Sequence, residues 1–240
     1  GMIGNNACGT RALGYGRTSD NLLGLRAITG SGAPWDAPAV RDGLSAVTRA
    51  GLATIRTEFG RFGRQVSGFA LENLLPEKGF GVHRLLAGSE GTLAVITEAT
   101  VRLVSEPAHR VLVVLGYPDI AAAGDATPEV LTYGPVACEG IDSRIVDVVR
   151  DRRGPGAVPP LPRGAAWLFV ELTGEDPGEL SAHANELGNH CGAVDSMVVI
   201  DTGRAGELWR IRADGAGLSS RSPAGLPAHA GWEDAAVPPE

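Results

Sequence analysis

The first 32 residues hold eight glycines: Gly1, Gly4, Gly9, Gly14, Gly16, Gly24, Gly30 and Gly32. Glycine loses the most conformational freedom on folding, so a stretch this rich in it predicts turns and close-approach loop rather than helix or strand interior. Its one strand-like part is Asn21 to Thr29. The missing side chains also leave space beside the backbone, where N–H groups can approach a flat or phosphorylated ligand closely. A nicotinamide-type dinucleotide fingerprint is not present, because Ser19 and Trp35 stand where Gly14-Tyr15-Gly16 and Gly30-Ser31-Gly32 need a third glycine.

Beyond this segment, Val40, Leu44, Val47, Leu52, Ile55 and Phe59 recur at helical spacing and predict one amphipathic helix over 40–59. Residues 60–81 read as irregular, and the β-branched run from Thr92 to Val104 as a strand. Pro107 marks the expected seam. The pattern then alternates: strand 110–116, helix 120–133, strand 136–139, helix 141–150. Arg153 to Gly164, with four prolines and three glycines, is expected to be exposed loop. Trp167 to Leu172 reads as a strand. Asp176-Pro177-Gly178-Glu179 carries a cap, a Pro at the first helical position and a Glu at the third, opening a helix that runs to His190. A strand over 194–200 and a helix capped by Thr202 follow, and Ser222 to Pro239 is irregular. No internal repeat is visible. The sequence predicts two domains, 1–107 and 108–240, in a chain of 240 residues that opens inside a glycine-rich segment and stops at Val237-Pro238-Pro239-Glu240. Both ends read as cuts in a longer protein.

Composition removes several function classes. The formal charge is −7, the opposite of the clustered positive surface that nucleic acid requires. The longest apolar stretches, such as Val111 to Leu115, fall far short of the ~20 residues of a membrane-spanning helix. Cys8, Cys138 and Cys191 are odd in number, far apart and without a CxxC, which suits reduced thiols in the cytoplasm. The single lysine, Lys78, lies between Glu77 and Gly79 and cannot complete a P-loop. Gly88-Ser89-Glu90-Gly91 is not a nucleophile elbow. His183, Glu186 and His190 share part of one helix face, but the HExxH pattern is missing and histidines collect at helix C-termini, so no metal site is predicted. His83, His109 and His229 are isolated.

Two motifs remain: Gly4-Asn5-Asn6-Ala7-Cys8-Gly9 with Tyr15-Gly16-Arg17-Thr18-Ser19-Asp20, and Gly88-Ser89-Glu90-Gly91-Thr92-Leu93-Ala94-Val95-Ile96-Thr97-Glu98-Ala99-Thr100. Here the chain resembles the FAD-binding oxidoreductases of the vanillyl-alcohol oxidase (PCMH) type, in the branch of D-lactate, glycolate and D-2-hydroxyglutarate dehydrogenases. The resemblance implies an α+β fold: the rear part of the FAD-binding domain, followed by the front part of a cap domain with a mainly antiparallel sheet. It implies that Gly1, Gly4, Asn5, Asn6, Ala7, Cys8 and Gly9 run along the flavin and that Tyr15, Gly16 and Asp20 hold that loop in shape. By the same resemblance, Glu90 and Gly91 lie beside ribose and pyrophosphate, and the backbone of Ile96 meets adenine.

In the cap, Leu208-Trp209-Arg210-Ile211-Arg212 resembles the family segment whose arginine binds the substrate carboxylate, and Arg212 aligns with it. A guanidinium grips a planar carboxylate through two parallel hydrogen bonds. The bland alternative is a helix arginine paired with Glu207 or Asp214. The family usually has Glu where this chain has Ala213, and a lysine used by relatives with larger diacid substrates is replaced around Trp232, which favours a small D-2-hydroxy acid. The expected reaction is hydride transfer from the substrate's C2 to FAD, with a catalytic histidine and its metal cluster lying beyond Glu240. The electron acceptor stays open among a quinone, a cytochrome, an electron-transfer flavoprotein and a fused iron–sulfur module, and the expected location is the cytoplasm or the inner membrane face. Two rival readings are a non-catalytic α/β fragment and a flavoenzyme of the same superfamily acting on a sugar or alcohol.

Overall fold

The computed structural model describes residues 1–63, 68–218 and 226–227. It divides into two compact units, Gly1–Gly9 with Tyr15–Val104, and Thr10–Gly14 with the chain from Ser105 on. The break falls three residues before the expected seam at Pro107. Thr10–Gly14 goes with the second unit because it is bonded there: Gly14 N–H donates to Val136 O at 3.1 Å, and Arg11 pairs with Glu171. The helical turn α1 (Ala12–Tyr15) spans this crossing point.

The first unit is organised on β1 (Leu22–Thr29), antiparallel to β2 (Ala94–Val101), in a register from Leu22↔Val101 to Thr29↔Ala94. The helix expected over 40–59 is two helices, α2 (Pro38–Ala50) and α3 (Leu52–Glu58), interrupted at Gly51. Glycine is a poor helix-interior residue, and here the helix is interrupted without losing its bonds: Gly51 N–H donates to Val47 O, and Gly51 O accepts from Ile55 N–H. The expected stripe is buried or partly buried at Val40, Leu44, Leu52, Ile55 and Phe59, and departs at one position. Val47 is 52% exposed, while Thr48 is buried with its hydroxyl donating to Leu44 O at 2.8 Å. Residues 71–86, much of which reads as irregular, supply most of this core, and Val40 and Leu44 of the expected stripe pack against it. The short turns Leu71–Leu74 and Pro76–Lys78 and α4 (Val82–Leu85) place Leu74, Val82, Leu85 and Leu86 against Ala27, Trp35 and Ala94. The indole of Trp35 donates to Val82 O and locks this packing.

The second unit contains a four-stranded antiparallel sheet of β3 (His109–Tyr117), β4 (Ala137–Asp142), β5 (Ala166–Gly174) and β6 (Asp195–Val199), in the order β4-β5-β3-β6. With α5 (Ile120–Leu131) after β3 and α7 (Pro177–His190) after β5, the path is a split βαβ arrangement. One sheet face meets α5 and α7 through Val111, Val113, Leu115, Leu168 and Val170. The other meets α6 (Ser143–Arg153) and α8 (Thr202–Leu218) through Leu112, Val114, Trp167 and Phe169. Because both faces are covered, β3 and β5 are near-continuous apolar runs rather than alternating ones.

Helix starts follow their caps. Asp176 accepts from Gly178 and Glu179 N–H at 2.8 Å, as its sequence context predicts. Asp142 accepts from Ile145 N–H at 3.0 Å, so β4 extends to Asp142 and α6 begins two residues later than the apolar pattern suggests. The last helix is capped by Asp201, which accepts from Arg204 N–H at 2.7 Å, and Thr202 is its first helical residue.

Candidate functional site

In the first unit, the Gly4–Gly9 loop is tied down by its own neighbours. Asn6 Oδ1 accepts from Ser19 N–H at 2.9 Å, and Ala7 O accepts from both the N–H and the hydroxyl of Thr18. Around Tyr15 to Asp20, the Tyr15 carbonyl accepts from Asn21 Nδ2, and the Asp20 carboxylate takes three donors from Arg17, its backbone N–H and two guanidinium nitrogens. These bonds hold the Asp20 carboxyl below the usual carboxylate range and raise Arg17. Gly16 adopts φ +81°, and a Cβ there would stand 2.9 Å from Asp20 Cβ, so this turn requires glycine. Arg17 also reaches the carbonyl of Gly63.

The two motifs, some 85 residues apart, meet. Gly88 N–H donates to Ile3 O at 3.1 Å, and Glu90 N–H to Gly4 O at 2.8 Å. A Cβ on Gly4 would lie 3.5 Å from Gly1 O and 3.9 Å from Glu90 Cα, so a larger side chain would fill the throat between the segments. Beside this junction runs a groove of about 730 Å³, lined by Gly1 to Asn5, Glu90, Gly91 and Ala94 to Ile96. A second, polar groove of about 620 Å³ shares Asn5 and Glu90 and adds Asn6, Arg17, Asp20, Lys78 and Arg84. Both volumes fall in the range of small-ligand sites. Backbone strain collects at the same place: Asn6 (φ 48°) and Glu90 (φ 53°) are two of three non-glycine residues with left-handed backbone among those described, and Gly88 and Gly91 are left-handed beside them.

Of the residues singled out from the sequence, Gly1, Gly4, Asn5, Glu90, Gly91 and Ile96 share the first groove, and Asn5, Asn6, Asp20 and Glu90 the second. Cys8 is partly buried and Gly9 exposed, with open space where a Cβ would stand. Gly9 is not left-handed, so neither its backbone nor its neighbours within the chain require glycine there. Nothing in the sequence marks Lys78, legible there only as a lysine without a P-loop, or Arg84 as a site residue. Lys78 comes from the segment that reads as irregular and Arg84 from α4 just beyond it, and neither forms an ion pair among the described residues.

In the second unit, α8 lies on the sheet with Leu208, Ile211 and Gly215 buried. It approaches α6 so closely that a Cβ on Gly215 would stand 2.4 Å from Ile145 Cγ2. Arg212 sits at the edge of that stripe and pairs with Glu139 of β4, Nε to Oε2 at 3.2 Å. Neither expected partner holds it: Asp214 pairs with Arg153 instead. One turn earlier, Trp209 stands edge-on to Phe169 with centroids 5.8 Å apart. Glu171, on the same face of β5, is buried and bound by Arg11 through two bonds of 2.5 and 2.8 Å. His183 Nε2 contacts Tyr133 O at 3.0 Å and His190 Nδ1 contacts Glu186 O at 2.9 Å, so these two rings are engaged with backbone. The region around Trp232, and His229, lie outside the described residues.

A profile of the family described as FAD linked oxidases, C-terminal domain, matches residues 106–240. The chain belongs to this family. A D-2-hydroxyglutarate dehydrogenase of Pantoea ananatis is 26% identical over 279 aligned positions, covering 100% of this chain and 27% of that protein. A D-2-hydroxyglutarate dehydrogenase of Haemophilus influenzae is 30% identical over 173, covering 62% and 17%. A D-lactate dehydrogenase of Archaeoglobus fulgidus is 28% identical over 213, covering 88% and 40%. The chain therefore spans roughly a quarter of the first of these relatives. Among solved structures, an alkyldihydroxyacetonephosphate synthase aligns over 90% of this chain and 38% of its own length, with a TM-score of 0.48 and 14% identity.

An FAD-linked oxidase has FAD as its cofactor, and the residues of the first unit suit one stretch of it. The junction of Gly4 and Glu90 leaves a small-residue cradle that a side chain would fill, with Ala94 to Ile96 as an apolar wall. Among the described residues no helix is long and apolar enough to cross a membrane.

Proposed function

We propose that this chain is part of an FAD-dependent dehydrogenase of a small D-2-hydroxy acid of the D-lactate kind, with residues 1–107 in the flavin-binding domain and 108–240 in the substrate-binding cap. The observation that carries the reading is the meeting of Gly4 with Glu90, which turns two distant glycine-bearing motifs into one groove. The names of the relatives, dehydrogenases of D-2-hydroxyglutarate and D-lactate, support the substrate class. When bound, FAD supplies the two-electron acceptor for the hydride on the substrate's C2.

Around it, the chain's own residues have distinct tasks. Gly4, Asn5, Glu90, Gly91 and Ile96 bind through backbone and short side chains, and Gly1, Asn6, Ala7, Cys8 and Gly9 continue that surface. Tyr15, Gly16 and Asp20 fix the loop from behind. Arg212 holds the substrate carboxylate through its planar, two-pronged guanidinium. Ala213, where the family usually has Glu, supports the smaller acid over D-2-hydroxyglutarate.

The test is Arg212→Lys in the complete enzyme. Lysine keeps the charge and loses the planar fork, so kcat/KM for D-lactate-like acids is expected to fall about ten- to a hundredfold with bound FAD and its absorbance intact. A neutral alcohol, if turned over, should be nearly indifferent. Equal losses on both substrates would make Arg212 structural, and no loss on either would place the carboxylate site elsewhere.

A further inference from the structure

We propose that Glu139 is the positioning residue for Arg212, holding its guanidinium by the Nε edge so that both terminal nitrogens face outward as the carboxylate fork. The inference rests on the reading of Arg212 as the carboxylate-binding residue. The contact is one-sided: Glu139 Oε2 accepts from Nε alone, at 3.2 Å. Nη1 and Nη2 of Arg212 make no hydrogen bond among the described residues, and the side chain is 40% exposed against 23% for Glu139. A structural ion pair in its strongest form uses two parallel N–H···O bonds, as Arg11 does with Glu171 on the same sheet face. Arg212 is gripped at one edge and left open at the other.

The frame around this contact is rigid on both sides. Glu139 lies in β4 directly opposite Phe169 of β5, and Phe169 packs against Trp209, one turn before Arg212 on α8. The helix itself is set by buried Leu208 and Ile211 and by the close approach at Gly215. Backbone, neighbouring ring and carboxylate therefore fix the root, the flank and the Nε edge of one flexible side chain. Preordering a four-torsion arginine in this way removes the entropy that binding would otherwise cost.

Two variants of the complete FAD-loaded enzyme separate length from charge. Glu139→Asp keeps the charge and withdraws the acceptor by one methylene, so KM for a D-2-hydroxy acid is expected to rise about tenfold, with a smaller change in kcat. Glu139→Gln keeps the reach and an acceptor oxygen, and its KM should stay within about threefold of the native value. FAD absorbance and circular dichroism should match the native enzyme in both. An unchanged or lowered KM in Glu139→Asp, or a larger rise in Glu139→Gln than in Glu139→Asp, overturns the proposal, because Glu139 would then compete with substrate or act through charge. Arg212→Lys measured alongside keeps the two readings apart. If it leaves KM unchanged, the assignment of Arg212 itself fails. If it raises KM while Glu139→Asp does not, only the role of Glu139 fails.

Discussion

Removing Arg11 should expose how much of the second unit hangs on one buried carboxylate. Glu171 sits in the middle of β5, its side chain 5% exposed, between Ala137 of β4 and Leu112 of β3, neither of which offers a partner. Arg11 satisfies it with bonds of 2.5 and 2.8 Å, while its own side chain is 45% exposed. Breaking a buried pair by deleting one member costs about 3 to 5 kcal/mol, because the remaining charge is stranded. Water reaches the arginine side of this pair, so Arg11→Ala should lie near the lower bound, about 3 kcal/mol, or roughly a hundredfold in the opening equilibrium. Replacing both partners, Arg11→Ala with Glu171→Leu, strands no charge and should recover most of that loss. Native-state amide exchange of β3 and β5 reads the effect directly, as a hundredfold fall in protection for the single variant and a near-native value for the double. A fall of less than about fivefold in Arg11→Ala, or equal falls in single and double variants, would refute the idea that Glu171 depends on its partner.

Other outcomes follow from the same structure. The 240-residue chain on its own should bind FAD weakly, since it spans only about a quarter of its first relative and so holds only part of a cradle; stoichiometric yellow FAD on the purified chain would contradict this. In the complete enzyme, Gly9→Val should reduce FAD content by crowding the ligand, not by straining the backbone, so circular dichroism should not change; retained FAD would remove Gly9 from the site. Burial pushes the thiols of Cys138 and Cys191 up to about 12 and about 11, so neither should react with iodoacetamide at pH 8 in the folded state, and early labelling of either would show the packing to be wrong. The Asp20 carboxyl is depressed in the folded state, first by its hydrogen bond to Arg17. Its stabilisation is therefore complete above the ordinary carboxylate value of 3.8 and lost as pH falls through the lowered value; Asp20→Asn should flatten acid unfolding in that window and nowhere else.

The sequence was most readable where one principle acts alone. Unbroken apolar runs at Val111 to Leu115 and Trp167 to Leu172 read as strands because helices cover both faces of the sheet. The cap at Asp176 and the loop character of the glycine-rich opening depend only on local backbone chemistry. Legibility failed where two signals compete. Asp142 reads as a helix residue, whereas strand pairing runs through Ile141↔Trp167 to Asp142↔Ala166. Val47 belonged to the apolar stripe of α2, yet Thr48 is the residue buried, since its hydroxyl is satisfied within the helix. The core residues between 71 and 86 gave no periodic signal because they sit on single turns.

The candidate site divides along the same line, and the division explains itself. The glycine motifs are legible because left-handed backbone at Gly16, Gly88 and Gly91 demands a residue type, whatever the distant partner is. Ion pairs carry no such mark: twenty arginines offer many partners for each carboxylate, and sequence proximity points Arg212 to Glu207 or Asp214. The fold decides otherwise, because strand pairing sets Glu139 and Glu171 two residues apart in register on one sheet face, under the same helix. A carboxylate on a helix-covered face needs a cation, and Arg11 and Arg212 are the two that the topology brings there. One is closed with two bonds and the other left open with one. That asymmetry, invisible in the sequence, is what separates a fastening from a residue still able to bind.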